Sequence, residues 1–172
     1  DFVRGSDAIL TIGIKPTRPE VGYGYIEAVL GNSSLVNKEI FRVDSFKEKP
    51  DIDTAKRYIQ RNNFFWNAGI FIWNVATIAN ALRVYQPALS KIFEDLLPIY
   101  GTEKEQEAIN KVFPQCENIS IDYAIMEKAE EIYVFPASFG WSDLGTWGSL
   151  RDNSERDIYG NALIGDNIDV YE

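Results

Sequence analysis

"FFWNAGIFIW", residues 64–73, is apolar nearly throughout and turns aromatic and β-branched after Gly69. Its length and composition predict a strand covered on both faces, as in the middle of an α/β sheet. Asn67 interrupts it near its entry. A buried amide needs partners, so Asn67 either satisfies backbone groups or awaits the hydroxyls of a ligand. Upstream, "AILTIGI" (8–14) reads as a strand that Lys15-Pro16 closes, and Val21 to Gly31 reads as a second. Gly31-Asn32-Ser33-Ser34 predicts a turn, and Glu39 to Phe46 a strand that pairs back as a hairpin or meander. Pro50 breaks that strand. Asp51 or Asp53 then caps a helix in which Ile52, Ala55, Tyr58 and Ile59 share a face, running to about Asn62.

Downstream, three helical patterns follow, Ala76 to Tyr85, Ala88 to Leu97 and Glu103 to Phe113, separated by Pro87, Pro98 and Gly101 and expected to form a layer. Ser120 can cap a short helix through Lys128. Ile132 to Ala137 reads as a strand, Trp147 to Arg151 as a helix, and "YGNALIGDNIDVY" as β-structure with turns. The order predicts an α/β domain, a mixed sheet with flanking helices that forms part of a larger sheet.

Composition narrows the chemistry. The 172 residues are 45% hydrophobic and 25% charged, the mixture of an ordinary globular domain. Seventeen Lys and Arg against 26 Asp and Glu make a net charge of −9, which argues against a phosphate-tracking surface and hence against nucleic acid. No apolar run approaches the roughly 20 residues that span a bilayer, so no membrane partner is expected and the cytoplasm is the natural setting. The single Cys116 agrees with a reducing compartment. With no histidine and one cysteine, zinc sites and histidine-dependent triads are removed. Carboxylates, lysine, backbone amides or a hard metal such as Mg²⁺ must carry any reaction. The chain begins at Asp1 and stops soon after a strand-like run, and is read as a piece of something longer.

Four segments bear on function, each with a plain alternative. "GYGYI" (22–26) exposes backbone amides for close approach of a ligand, or marks a bulge or tight turn. "FKEKP" (46–50) sets Glu48 and Lys49 at a strand end, where open α/β sheets bind ligands, or is a solvated turn. Side chains alternate along a strand, so both reach one ligand only if the strand breaks, as Pro50 suggests. "WNAG" (66–69) carries Asn67. "GWSDLGTW" (140–147) frames Asp143 with tryptophans and glycines, where it either caps the following helix or holds a cation.

Taken together and in order, "TRPEVGYGYIE", "VDSFKEKP", "FFWNAGIFIWN", "SIDYAIMEKA" and "FGWSDLGTWGSL" resemble the nucleotide-diphospho-sugar pyrophosphorylases, and within them the mannose-1-phosphate guanylyltransferase branch. The match covers nearly the whole chain. It implies a partial Rossmann-like nucleotide-diphospho-sugar transferase fold lacking its N-terminal nucleotide-binding part, since the glycine-rich signature GxGxRLxPLS and a following FPKQ are absent. Residues 1–158 would be the sugar-phosphate-binding half, and 159–172 the start of a C-terminal β-rich segment. The implied reaction joins mannose 1-phosphate to GTP, giving GDP-mannose and pyrophosphate with Mg²⁺ as cofactor.

By the same resemblance Gly24 offers its backbone amide to the sugar, Glu48 accepts from sugar hydroxyls, Lys49 meets the sugar phosphate and Asn67 binds another hydroxyl. Lys49 and Asp143 are the catalytic pair, with Asp143 one of two aspartates on Mg²⁺, its desolvation offset by the dication and its position held by the tryptophans. Val21 stands where the family usually has Thr. Asp122 and Tyr123 belong to the mannose-type signature without an assigned contact; Ser120 and Asp122 can equally start a helix. Other sugar 1-phosphates with UTP or dTTP, a bifunctional parent with an isomerase, a noncatalytic regulatory relative and a homo-oligomer all remain open. The isolated piece is not expected to turn over alone.

Overall fold

The computed structural model describes residues 1–33, 39–163 and 165. Five strands, β1 (Ile9–Ile14), β2 (Tyr25–Ser33), β3 (Phe41–Lys47), β4 (Phe64–Ile72) and β5 (Ile132–Ala137), are joined in the order β1-β4-β2-β3-β5, and β5 pairs back onto β1. The ladder therefore closes on itself. Only β1 and β5 run parallel; the other four pairings are antiparallel. The sequence expectation of a mixed sheet with flanking helices is met.

Helix α1 (Ile52–Gln60) starts where Asp51 accepts a 2.8 Å hydrogen bond from the Thr54 amide. Asn74 does the same for the Thr77 amide at the head of α2 (Val75–Tyr85), and Pro87 occupies the first turn of α3 (Pro87–Glu94), where no amide hydrogen is needed. Helix α4 (Glu105–Val112) runs into a short 3₁₀ turn, Phe113–Gln115. One buried cluster joins Ile9, Ile26, Ala28, Phe46, Phe65 and Val134 of the strands to Ala81 of α2 and to Ala124, Ile125 and Met126.

Several boundaries differ from the sequence expectations. Residues Gly31 to Ser33 continue β2 instead of turning, and Ser34 lies outside the described residues. Strand β4 is buried only over Phe64, Phe65 and Trp66, whereas Ile70 and Ile72 are exposed, so coverage on both faces holds for its first third. The segment after Ser120 is a π-helical turn, Asp122–Met126, which the Ser120 hydroxyl meets at the Tyr123 amide (3.5 Å). Of the terminal "YGNALIGDNIDVY", residues 159–163 and 165 form turns and bends without strand, and the rest is outside the described residues. The chain divides into two compact units at Ser138/Phe139, within the stretch 1–158 taken as one on sequence. Among the described residues no helix is long and apolar enough to cross a membrane.

Gly13 of β1 is closely packed between β4 and β5. A Cβ built there would stand 2.6 Å from Val134 Cγ2 and 2.8 Å from Phe65 Cβ, against two strands that cannot both retreat. Gly13→Ala is expected to destabilise the fold by about 3 kcal/mol, the upper part of the overpacking range. Denaturant unfolding followed by circular dichroism reads this directly, and a change below about 0.5 kcal/mol would show that the strands give way.

Candidate functional site

Strand register assembles the candidate site. Tyr25 of β2 lies opposite Lys47 of β3 and opposite Trp66 of β4, both antiparallel. One step beyond Tyr25 in each ladder are Gly24, Glu48 and Asn67, which thus form one row; the Asn67 backbone N–H donates to the Gly24 carbonyl at 2.8 Å. At Gly24 the missing side chain leaves room for its neighbours: a Cβ would meet Glu48 Oε2 at 2.5 Å and Asn67 Cβ at 3.3 Å. In the "GYGYI" stretch Gly24 is thus approached closely by the Glu48 and Asn67 side chains, and the Gly22 amide donates to Glu20 Oε1 at 3.2 Å. The bulge that glycine can signal falls instead in "WNAG", where the β1–β4 register shifts between Thr11 and Gly13 and Gly69 takes φ +70°.

That bulge turns Asn67 into the row. Its Oδ1 accepts from the Gly69 amide (3.1 Å) and the Thr11 hydroxyl (3.3 Å), while Nδ2 donates to Asp122 Oδ1 (3.1 Å). Both ends of the amide are occupied, so part of Asn67's polarity serves the protein itself. Thr11 and Asp122 were not assigned contacts from sequence. Thr11 is fully buried in an otherwise apolar strand, and that lone hydroxyl was the readable signal. Asp122 reaches Asn67 from 55 residues away, a pairing no local pattern encodes. On the other side of β4, Trp66 packs edge-on to Tyr23 with Arg18 over its ring, and its buried Nε1 has no hydrogen-bond partner.

Glu48 and Lys49 complete the row. Strand β3 ends at Lys47, and Lys49 adopts φ +45°, a left-handed conformation that costs a non-glycine residue energy. This break cancels the alternation of side chains, and Lys49 Nζ comes within 3.6 Å of Glu48 Oε1. The Glu48 side chain is 14% exposed and that of Lys49 is 63% exposed, so a largely covered carboxylate sits beside an accessible ammonium. Burial first, and then the charge of Asp122, push the Glu48 carboxyl above the ordinary glutamate value; Lys49 opposes the shift and Glu127 adds to it.

A carboxyl with a raised native value binds more protons folded than unfolded, so stability declines as pH rises from about 4.5 through that raised value and then levels. Glu48→Gln removes this decline. Its stability relative to the native protein is expected to improve between pH 4 and pH 7, which thermal melts at the two pH values can check. A constant difference across that range would mean that Glu48 titrates as an ordinary surface glutamate.

Asp143 belongs to the second unit, residues 139–172. Its setting overturns the expectation of an enclosed carboxylate. Asp143 is exposed, its Oδ1 accepts from the Gly145 amide at 3.0 Å, and Trp147 is 87% exposed. Nor does Asp143 cap helix α5 (Trp147–Asp152). Thr146 does, in a reciprocal box with Ser149. Among the described residues no three Asp, Glu, Cys or His side chains gather into a metal-binding group.

Within the first unit, then, a buried glycine backbone, a carboxylate, an amide and a lysine lie side by side. Carboxylate and amide suit a polyol, and the lysine suits an anion beside it. Comparison with known proteins gives the family. A family model described as Nucleotidyl transferase matches residues 2–159. A xanthan biosynthesis protein of Xanthomonas campestris is 38% identical over 163 residues, 94% of this chain and 34% of that protein. A mannose-1-phosphate guanylyltransferase of Escherichia coli is 35% identical over 161 residues, 92% of this chain and 34% of its own length. A crystal structure from Thermus thermophilus, described as a mannose-1-phosphate geranyltransferase, superimposes with a TM-score of 0.72 at 34% identity, over 86% of this chain and 40% of that one. The chain spans about a third of the length of the curated relatives it matches.

Proposed function

The chain belongs to the nucleotidyl transferase family, and from that premise we propose that it supplies the sugar-phosphate site of an enzyme that forms GDP-mannose and pyrophosphate from mannose 1-phosphate and GTP. The observation that carries this reading is the row Gly24, Glu48, Asn67 with Lys49 at its edge. Its carboxylate and amide pair with ring hydroxyls, and its lysine neutralises the phosphate on the anomeric carbon. A phosphate oxygen of the sugar attacks the α-phosphorus of GTP; a new P–O bond forms, the α–β bridge breaks, and pyrophosphate leaves with its electron pair. The nucleophile is already an anion and needs no general base, which suits a chain without histidine. What the protein contributes is positioning and charge.

Mg²⁺ would neutralise the polyphosphate and the leaving pyrophosphate. Asp143 fits a share in holding it: magnesium usually keeps waters and takes one or two carboxylates plus substrate phosphates, and an exposed, hydrogen-bonded aspartate in a loop suits that role. The cytoplasm, where sugar phosphates and GTP are made, is the proposed setting.

The reading is tested with the full protein that carries this sequence, following pyrophosphate release with mannose 1-phosphate, GTP and Mg²⁺ beside glucose 1-phosphate, UTP and dTTP. Fastest release with mannose 1-phosphate and GTP is expected. Preference for another sugar or base would reassign the substrate, and silence with every pair would defeat the reading.

A further inference from the structure

Asp122 has no role in the reaction as written, yet it is the only carboxylate among the described residues hydrogen-bonded to the Asn67 amide. We propose that Asp122 is a positioning residue of the sugar site, fixing the Asn67 side chain in one orientation and thereby deciding which hydroxyl pattern the row accepts. This rests on the sugar-phosphate reading above and deepens it.

An asparagine amide has two ends of opposite polarity and nearly the same shape, so its orientation is only as definite as its partners. Thr11 does not settle it. Its single proton has two acceptors at 3.3 Å, Asn67 Oδ1 and the Ile70 carbonyl, and a hydroxyl can also accept. The Gly69 amide can only donate, which holds Oδ1 at one end. An ionised Asp122 can only accept, which holds Nδ2 at the other. With one Nδ2 proton committed to Asp122, the second is the donor left for a ligand.

Support for Asp122 is rigid. It opens the π-helical turn whose next residues but one, Ala124, Ile125 and Met126, are at most 3% exposed in the core. Single π-helical turns are frequent at functional sites. Asp122 also acts on Glu48 through its charge, alongside Glu127 and against Lys49, so the same residue biases two members of the row.

The test compares Asp122→Asn and Asp122→Ala with the unmodified full protein. Asn keeps the size and an acceptor but loses the charge and the acceptor-only character; Ala loses the contact. For Asp122→Ala, KM for mannose 1-phosphate is expected to rise about tenfold with kcat changed less than threefold, as for loss of one hydrogen bond to a charged group. For Asp122→Asn, the preference for mannose over glucose 1-phosphate should fall, and the Glu48 carboxyl, followed by carbon NMR without substrate, should titrate at lower pH. An Asp122→Asn protein that keeps its sugar preference overturns the proposal, whatever its Glu48 titration does. If the unmodified protein turns over no sugar phosphate, the sugar reading fails separately, and the Glu48 titration with the Asn67 amide signal then decides whether Asp122 orders the row. Unmoved signals defeat the proposal there too.

Discussion

Lys49→Ala is expected to lower kcat/KM for mannose 1-phosphate by about 10²–10³, the loss that follows removal of one preorganised charge or donor from a phosphoryl or acyl transfer site. Lys49 is singled out by its backbone as much as by its charge. At φ +45° it is, among the described residues, the non-glycine residue held at positive φ, and its ammonium lies beside the half-buried Glu48 carboxylate. A glycine would occupy that backbone without strain. Comparing Lys49→Ala with Lys49→Gly therefore separates two effects, since both variants lose the same ion pair with Glu48. Both should be equally impaired in turnover, while the glycine variant should be the more stable by about 0.5–1 kcal/mol, relief of left-handed strain less the entropy that glycine adds to the unfolded chain. Paired unfolding curves and steady-state rates measure this. A glycine variant less stable than the alanine variant would mean that the bend at Lys49 is not strained, and near-normal turnover in either would remove the ammonium from the chemistry.

Gly24→Ala is expected to separate function from stability in the opposite manner. The added methyl would stand 2.5 Å from Glu48 Oε2, and that carboxylate is the free end of a flexible side chain. It can retreat by about 1 Å at little cost to the fold, but a misplacement of that size in a substrate-positioning group costs about 10²-fold in rate. The melting temperature should move by no more than about 3 °C. The second contact, Asn67 Cβ at 3.3 Å, is tight but not prohibitive. The measurement is kcat/KM for mannose 1-phosphate beside a thermal melt. A large fall in melting temperature with retained kcat/KM would show that Gly24 serves strand packing and not the row.

The contrast between Gly13 and Gly24 shows what a single residue type conceals. Both lie near the same strands, yet Gly13 faces Val134 and Phe65 in the core and Gly24 faces a carboxylate and an amide. Nothing within a few residues of either distinguishes them. Likewise the tryptophans around Asp143 suggested enclosure, and the fold leaves that loop open with Thr146 doing the capping. Hydrophobic content in a short window says that residues can be buried; whether they are depends on what the rest of the chain lays over them.

Most element types and their order were legible in the sequence alone, because they depend on signals that act over a few residues: the apolar run of β4, the cap at Asp51, the prolines that separate the helical patterns, and the β-branched stretch that becomes β5. The segments that carry Gly24, Glu48, Lys49 and Asn67 were legible in the same way, through glycine, proline and a polar interruption in an apolar strand. Their convergence was decided only by the tertiary structure. It takes three strands in one register to set Gly24, Glu48 and Asn67 in a row, a bulge at Gly69 to turn Asn67 inward, and a core-anchored turn to bring Asp122 across 55 residues. Pairing across such distances is fixed by the burial of whole strand faces, since slipping one residue would turn each core side chain toward solvent.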